Sequence, residues 1–354
     1  MRSRLLGLAV LLAACTPGSP RDGVLGDEGK VYFSSPDDLV FTTRLMMGST
    51  LHIALEARSD DDKERIAAAH IEGEDDVVRI DEDGVHLVGA GVSGIVVVDD
   101  KGARIDRITI DVAPAVDVEL LDGLIVGSNV DPRVPDVFAL VQNTQSQFFV
   151  RGVDACGGEL LPVNAVDIAF AGEEGVVQIS GYEHYLTPTL LAATTLNLVG
   201  PGELSHAYDI DVVERAAVDE VDVEVALIEG ADFEVWARAF TDDIEVIGMS
   251  YDWDSSARVL LSRFAGPNTI ATVSFPEEGV VDDRPATITA EVLGEEKSRD
   301  LLSITQRGQL VAGRVPAREV KATRGGGCGG QEGCDPYALG FVVFALLGFR
   351  RLRS

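Results

Sequence analysis

Few side chains in this chain have the type and spacing that chemistry needs. The five histidines, His52, His70, His86, His184 and His206, stand singly. No G-x-S-x-G turn, H-E-x-x-H helix, phosphate-cradling glycine loop or paired C-x-x-C occurs, which removes the reactions those motifs support and leaves only a triad assembled from distant parts. No catalytic residue and no cofactor is assigned. Carboxylates are abundant and gather at turns: Asp81-Glu82-Asp83-Gly84, Asp99-Asp100-Lys101-Gly102, Asp252-Trp253-Asp254 and Asp282-Asp283. Calcium wants about six to eight oxygens, and no complete ligand loop is present. Asp81 and Asp83 are the positions where such an ion would sit. Hairpin turns use Asp and Gly for backbone reasons alone, and that reading is preferred.

The cysteines are Cys15, Cys156, Cys328 and Cys334. Arg2 and Arg4 precede the apolar run Leu5 to Ala14, which has the charge order and length of an export signal (residues 1–14) and is too short to span a bilayer. The run ends in Leu12-Ala13-Ala14-Cys15, which resembles the lipobox of bacterial lipoproteins. That resemblance implies that Cys15 carries diacylglycerol and that the membrane is a partner through this anchor. Thr16 after the cysteine leans, by the same resemblance, toward the outer membrane. An ordinary cleaved signal with Cys15 incidental is the alternative. Residues 15–29, with Thr16-Pro17-Gly18-Ser19-Pro20, read as a flexible tether.

At the far end, Gly325-Gly326-Gly327-Cys328-Gly329-Gly330 and Cys334 lie in a linker (306–336), followed by an apolar run Tyr337 to Phe349 and by Arg350-Arg351-Leu352-Arg353. This order resembles the C-terminal sorting tails of myxobacterial surface proteins, and it implies Cys328 or Cys334 as the processing position. As a helix the apolar run reaches about 20 Å, short of a hydrocarbon core of about 30 Å. A weak anchor or a tail packed on protein is therefore the alternative for 337–354. Cys156, in Asp154-Ala155-Cys156-Gly157-Gly158, reads as a turn residue. With Cys15 set aside an odd number of cysteines remains, so no internal disulfide framework is expected, and a local Cys328–Cys334 pair is the alternative to a processing role.

The formal charge is −30, and setting aside the five terminal arginines makes it −35 for the rest. Such a surface repels phosphate backbones, which excludes nucleic acid as a partner.

Between the ends, apolar and polar residues alternate at period two, the signature of half-buried antiparallel strands. Leu51, Ile53 and Leu55 do so, as do Ile108, Ile110 and Val112, then Val221, Val223 and Val225, and Ile288, Ala290 and Val292. Short strings recur about 100 residues apart: Val77-Val78-Arg79-Ile80 as Val176-Val177-Gln178-Ile179, Ile110-Asp111-Val112 as Ile210-Asp211-Val212, and Val116-Asp117-Val118-Glu119 as Val221-Asp222-Val223-Glu224. That spacing is the size of one immunoglobulin-like sandwich. The run Val78 to Val98, read as strand, tight turn at Asp83-Gly84, strand, glycine bend and buried strand, resembles the core motif of group 2 bacterial immunoglobulin-like domains.

The expected fold class is all-β: tandem immunoglobulin-like sandwiches over 30–113, 114–214 and 215–305, flanked by a signal peptide and a short hydrophobic C-terminal helix. One or two helical turns are expected within Ser59 to Ala69, with Ser59 as cap. Trp236 and Trp253 are expected to pack in a core. The function expected is that of a lipid-anchored envelope or surface protein, in the outer membrane or at the cell surface, which binds an unidentified envelope or extracellular macromolecule without catalysis. A structural spacer is the alternative. A carboxylate-dependent polysaccharide hydrolase stands behind both, supported only by abundant Asp and Glu.

Overall fold

The computed structural model describes residues 23–35, 44–59, 63–126, 131–172, 174–180, 183–229, 232–255, 260–263, 269–274, 286–292, 299–304 and 310–312. Cys15, the export signal, Cys328, Cys334 and the C-terminal apolar run lie outside the described residues, as does any test of the terminal helix. Among the described residues no helix is long and apolar enough to cross a membrane.

The chain is an all-β protein of tandem immunoglobulin-like sandwiches, because β-branched residues alternate with polar ones and turns interrupt every run. Three large cores form among the described residues. The first gathers Val31, Phe33, Leu51, Val85, Leu87, Ile95, Ile108 and Ile110. Around it Arg104–Ala113 pairs with Gly91–Val98, while the hairpin of Val78–Asp81 and Gly84–Leu87 takes Thr50–Leu51 as a third strand. Gly84 is needed where it stands. Its φ is +138°, and a Cβ there would lie 2.8 Å from the Leu51 carbonyl oxygen, a close approach that only glycine allows.

The second core holds Leu120, Phe138, Leu140, Phe148, Leu196, Tyr208 and Ile210. It lies between the sheet of Asp117–Asp122, Ser146–Val153, Glu183–Pro188 and Gly175–Ser180 and one that includes Val137–Val141, Asp167–Phe170, Ala193–Val199 and Ser205–Val213. The third holds Val223, Val235, Tyr251, Trp253, Ile288 and Val292. The recurring strings fall on corresponding places: hairpin strands at Val78–Asp81 and Gly175–Ser180, strands at Arg104–Ala113 and Ser205–Val213, and the strands that follow these, Asp117–Asp122 and Glu220–Glu229.

Several local expectations change. The run from Leu51 to Leu55 is not one strand: Thr50–Leu51 and Ala54–Ala57 belong to different sheets. Not every pair is antiparallel, since Leu45–Met46 runs parallel to Arg104–Ala113, and Val137–Val141 runs parallel to Ser205–Val213. The helix Lys63–Ala67 begins four residues beyond Ser59, so Ser59 is not its adjacent cap. Cys156 does lie in a turn, and it is disulfide-bonded, a pairing that the sequence reading did not assign to it. Its partner lies outside the described residues. Val24–Leu25, inside the stretch read as tether, already pairs with Val31–Ser34.

The cores interlock. Leu161 N–H donates to the Arg44 carbonyl (2.9 Å), Met46 N–H to Leu161 (3.0 Å) and Thr50 N–H to Val163 (3.0 Å). The Met46 side chain is buried in the second core and Val163 in the first. Arg44 crosses the same joint, with Nε 3.1 Å from Asp111 and Nη1 bonded to Asp154. At the next joint the strand Val137–Val141 has a core on each face: Phe138 and Leu140 enter the second, Ala139 and Val141 the third. Ile247 N–H donates to the Ala139 carbonyl (3.0 Å), and its side chain returns to the second core. Trp236, on the other face of Asp232–Thr241 from Val235 and Ala237, is buried against Ile125 and Ile270. Both tryptophans are thus buried, Trp253 inside the third core and Trp236 in the joint.

Candidate binding groove

The residues singled out in the sequence occupy separate places. Asp81 and Asp83 lie at the exposed end of the hairpin Val78–Asp81, Gly84–Leu87. The Asp81 carboxylate accepts from Asp83 N–H (3.0 Å) and from His86 Nε2 (2.7 Å). The His86 bond, with help from Asp83 N–H and the Arg79 and His86 charges, holds the carboxyl below its ordinary range against the cost of burial. Asp99 shows the same habit, accepting from Lys101 N–H (3.0 Å), Ala103 N–H (2.8 Å) and Arg65 Nη2 (3.1 Å). These acidic turns spend their carboxylates on backbone N–H groups. Among the described residues no group of three His, Cys, Asp or Glu is arranged to hold a metal ion.

One constellation of polar side chains carries no sequence motif. Thr50 Oγ1 lies 3.1 Å from His86 Nδ1, and His86 Nε2 reaches Asp81. The hydroxyl, imidazole and carboxylate are in series, but the ring is turned the other way from a hydrolytic triad, in which the carboxylate takes Nδ1 and the nucleophile faces Nε2. The backbone N–H of Thr50 is bonded to Val163, so it offers no oxyanion donor. This trio clips Thr50–Leu51 to the hairpin.

A groove of about 420 Å³ opens on the second sandwich, lined by Glu119, Asp131, Arg133, Asp136, His206 and Tyr208 with Val134 and Pro135 between them. Alternation along Ser205–Val213 puts His206 and Tyr208 on one face of the strand, where their rings stack 4.5 Å apart. The segment Asp131 to Asp136, carrying Pro132 and Pro135, is fastened at both ends: Val134 N–H donates to Leu120 (3.0 Å) and Asp209 N–H to Asp136 (2.8 Å). Tyr208 is buried, and its hydroxyl accepts from Leu120 N–H (2.8 Å). Burial, and then the Glu119, Asp136 and Asp117 charges, push its phenol well above the ordinary range, against the effect of the Leu120 bond. Its hydroxyl is a fixed acceptor that keeps its proton.

The charges are partly spoken for. Glu119 faces Arg151 Nη2 at 2.6 Å, and Asp131 faces Arg133 Nε at 2.8 Å. Burial raises the Asp131 carboxyl, but Arg133, through its side chain and backbone N–H, holds it below its ordinary range. His206 lies between two acceptors, with Nδ1 3.4 Å from Asp117 and Nε2 3.3 Å from Asp136. Those distances are at the long end for hydrogen bonds. The groove therefore presents net negative charge, one imidazole and one guanidinium, on a backbone fixed from both sides. It suits a cationic or hydroxyl-rich group. None of these residues was nominated from the sequence. The pairing of His206 and Tyr208 at i and i+2 was visible, but their meeting with Asp131 to Asp136 depends on folding across 70 residues.

No protein-family model matches the chain, and no curated protein does. Among solved structures it is similar to domains 4–9 of the surface layer protein SbsC, at 15% identity over 72% of this chain with a TM-score of 0.30. It is similar to invasin, a bacterial integrin-binding protein, at 14% identity over 77% of this chain and 59% of that one (TM-score 0.20), and to a β-glucuronidase of Parabacteroides merdae at 10% over 48% of this chain and 23% of that one (TM-score 0.22). The chain spans 42% of the length of the surface-layer structure.

Proposed function

We propose that this chain is an exported envelope protein, tethered to a membrane by a lipid on Cys15, that presents its sandwiches to another envelope or extracellular macromolecule and performs no catalysis. The groove around His206 is the observation that carries the binding reading. It is an open groove of about 420 Å³, and backbone bonds fix the segment that carries Asp131, Arg133 and Asp136 before any ligand arrives. Asp131, which Arg133 holds below its ordinary range, is not the raised carboxyl that a glycosidase acid needs. The location proposed is the outer membrane or cell surface, with Cys328 or Cys334 as the processing position of the C-terminal tail.

A second reading, a rigid spacer, is favoured by the joints, where shared strands and interlocked cores replace linkers. One experiment separates the two. On a Cys15→Ala chain lacking 337–354, which has no anchor, His206→Ala and Asp136→Asn should remove binding to isolated envelopes while leaving the thermal melt unchanged. Envelope assembly that tolerates both variants but fails when a whole sandwich is deleted would favour the spacer. The anchor is tested separately: Cys15→Ala, combined with removal of 337–354, should abolish acyl labelling and move the protein to the soluble envelope fraction. Labelling that persists would refute it.

A further inference from the structure

Sheet edges expose unpaired backbone groups, and proteins guard them with charge, proline, bulges or brevity. Most edge strands here follow that rule. His70–Gly73 carries Glu72, Val78–Asp81 carries Arg79 and Asp81, Asp167–Phe170 begins with Asp167, Ala54–Ala57 carries Glu56 and Tyr251–Ser255 carries Asp252 and Asp254. Gly175–Ser180 does not. Among the described residues it is the outer strand of its sheet, and it reads Gly-Val-Val-Gln-Ile-Ser, six residues without a charge or a proline.

The register says which groups face outward. Gly175 lies opposite Pro188, which has no N–H, so that pair is not a hydrogen-bonded one. Alternation then makes Val177–Leu186 and Ile179–His184 the same kind of pair, and the N–H and C=O of Val177 and Ile179 point away from Glu183–Pro188. The side chains agree with an open edge. Val176 is 48% and Ile179 60% exposed, and Leu190 and Leu191, also exposed, follow where Thr189 N–H closes on the Glu174 carbonyl.

We infer that the open edge of Gly175–Ser180 docks an extended segment of another polypeptide by strand addition, the segment having an uncharged β-forming centre flanked by Lys or Arg. Charge selects this occupant. Glu174 and Glu183 flank the strand, and the chain carries −30, so basic flanks are attracted while a second copy brings like charge against like. The site is separate from the His206 groove and stands or falls without it.

The test uses the full chain in non-ionic detergent and a synthetic peptide with a Thr-Val-Thr-Val-Thr centre between pairs of lysines, followed by fluorescence anisotropy and amide exchange. Saturable binding is expected, with the Val177 and Ile179 amides slowed about tenfold or more. A peptide with proline at its centre and one with glutamate flanks should each bind at least about tenfold more weakly. In the protein, Ile179→Pro removes an outward donor without breaking a bond to Glu183–Pro188 and should lose binding; Ile179→Thr keeps the donor and should retain it. Equal binding of the proline-centred peptide would overturn strand addition even if Ile179→Pro proved unstable. Equal binding of the glutamate-flanked peptide would overturn the charge assignment, and no binding at all would overturn the site. Self-association that Ile179→Pro abolishes would make the occupant a second copy and overturn the assigned partner.

Discussion

Asp106 is where the entering chain is fastened to the first sandwich, and its replacement gives the sharpest test of the packing argument. The pairing of Arg104–Ala113 with Gly91–Val98 slips between Arg104 and Asp106, so Ile105 and Asp106 both turn inward and both are fully buried. A buried carboxylate must be surrounded by donors. Its Oδ1 accepts from Glu28 N–H (2.8 Å) and Arg107 N–H (2.8 Å), and its Oδ2 from Lys30 N–H (2.7 Å) and Val31 N–H (2.8 Å). A Cβ on Gly26 would lie 2.4 Å from Oδ1, so the loop wraps closely enough to require glycine. Asp106→Ala leaves three donors of the entering segment without their acceptor. Charge-assisted bonds contribute about 1.5–3 kcal/mol each but are not additive once water enters, so a loss of about 3–5 kcal/mol is expected. Asp106→Asn keeps the shape but turns an NH₂ toward N–H donors, for a loss of about 2–4 kcal/mol.

Amide exchange over 26–34 in the full chain is the right assay, because local opening is read there even if the sandwiches unfold separately. Protection should fall by about two to four orders of magnitude for the alanine variant. Burial raises the Asp106 carboxyl, but the bonds from Glu28, Lys30 and Arg107 outweigh it and hold it below its ordinary 3.8. A depressed folded-state pKa contributes stability above the unfolded value of about 3.9 and loses it as pH falls through the folded one. The wild-type segment should therefore loosen as pH drops below about 4, and the asparagine variant should lack that component. If Asp106→Asn changes stability by less than about 0.5 kcal/mol with protection at 26–34 intact, the clamp argument is wrong.

Gly84→Ala should cost about 1–3 kcal/mol in denaturant melts, from positive φ and the clash with the Leu51 carbonyl. Trp236→Ala, which empties the joint between the second and third sandwiches, should cost about 3–5 kcal/mol, read as a lower midpoint by tryptophan fluorescence and circular dichroism. Arg44→Ala removes the bridge to Asp111 and Asp154 and should cost about 1–2 kcal/mol, seen as faster proteolysis near 44–50 and 161–164. Millimolar calcium should raise the melting temperature no more than sodium of equal ionic strength, because Asp81 and Asp99 already accept from backbone N–H groups. A shift of many degrees specific to calcium, lost in Asp81→Asn, would refute that.

Most strands and their inward faces were legible from alternation alone, the split of Leu51 to Leu55 between two sheets excepted. Ile110, Val223 and Ile288 alternate with polar neighbours and are fully buried, because a strand turns successive side chains to opposite sides whatever sheet it joins. The turn residues and the recurring strings were legible for the same local reason. Even the strand with a core on each face left a trace, the unbroken apolar run Val137-Phe138-Ala139-Leu140-Val141.

Which sheet each strand joined, and what met across the joints, came from the assembled fold. Asp106 looks like any polar residue in an alternating strand until the register slips and turns it inward. His206 and Asp136, 70 residues apart, meet only because Ser205–Val213 lies parallel to Val137–Val141. Cys156 gave no local sign of its bond. Periodicity records one strand's two faces, whereas pairing, register slips and interlocked cores are properties of chain segments far apart, and no window of sequence contains both partners.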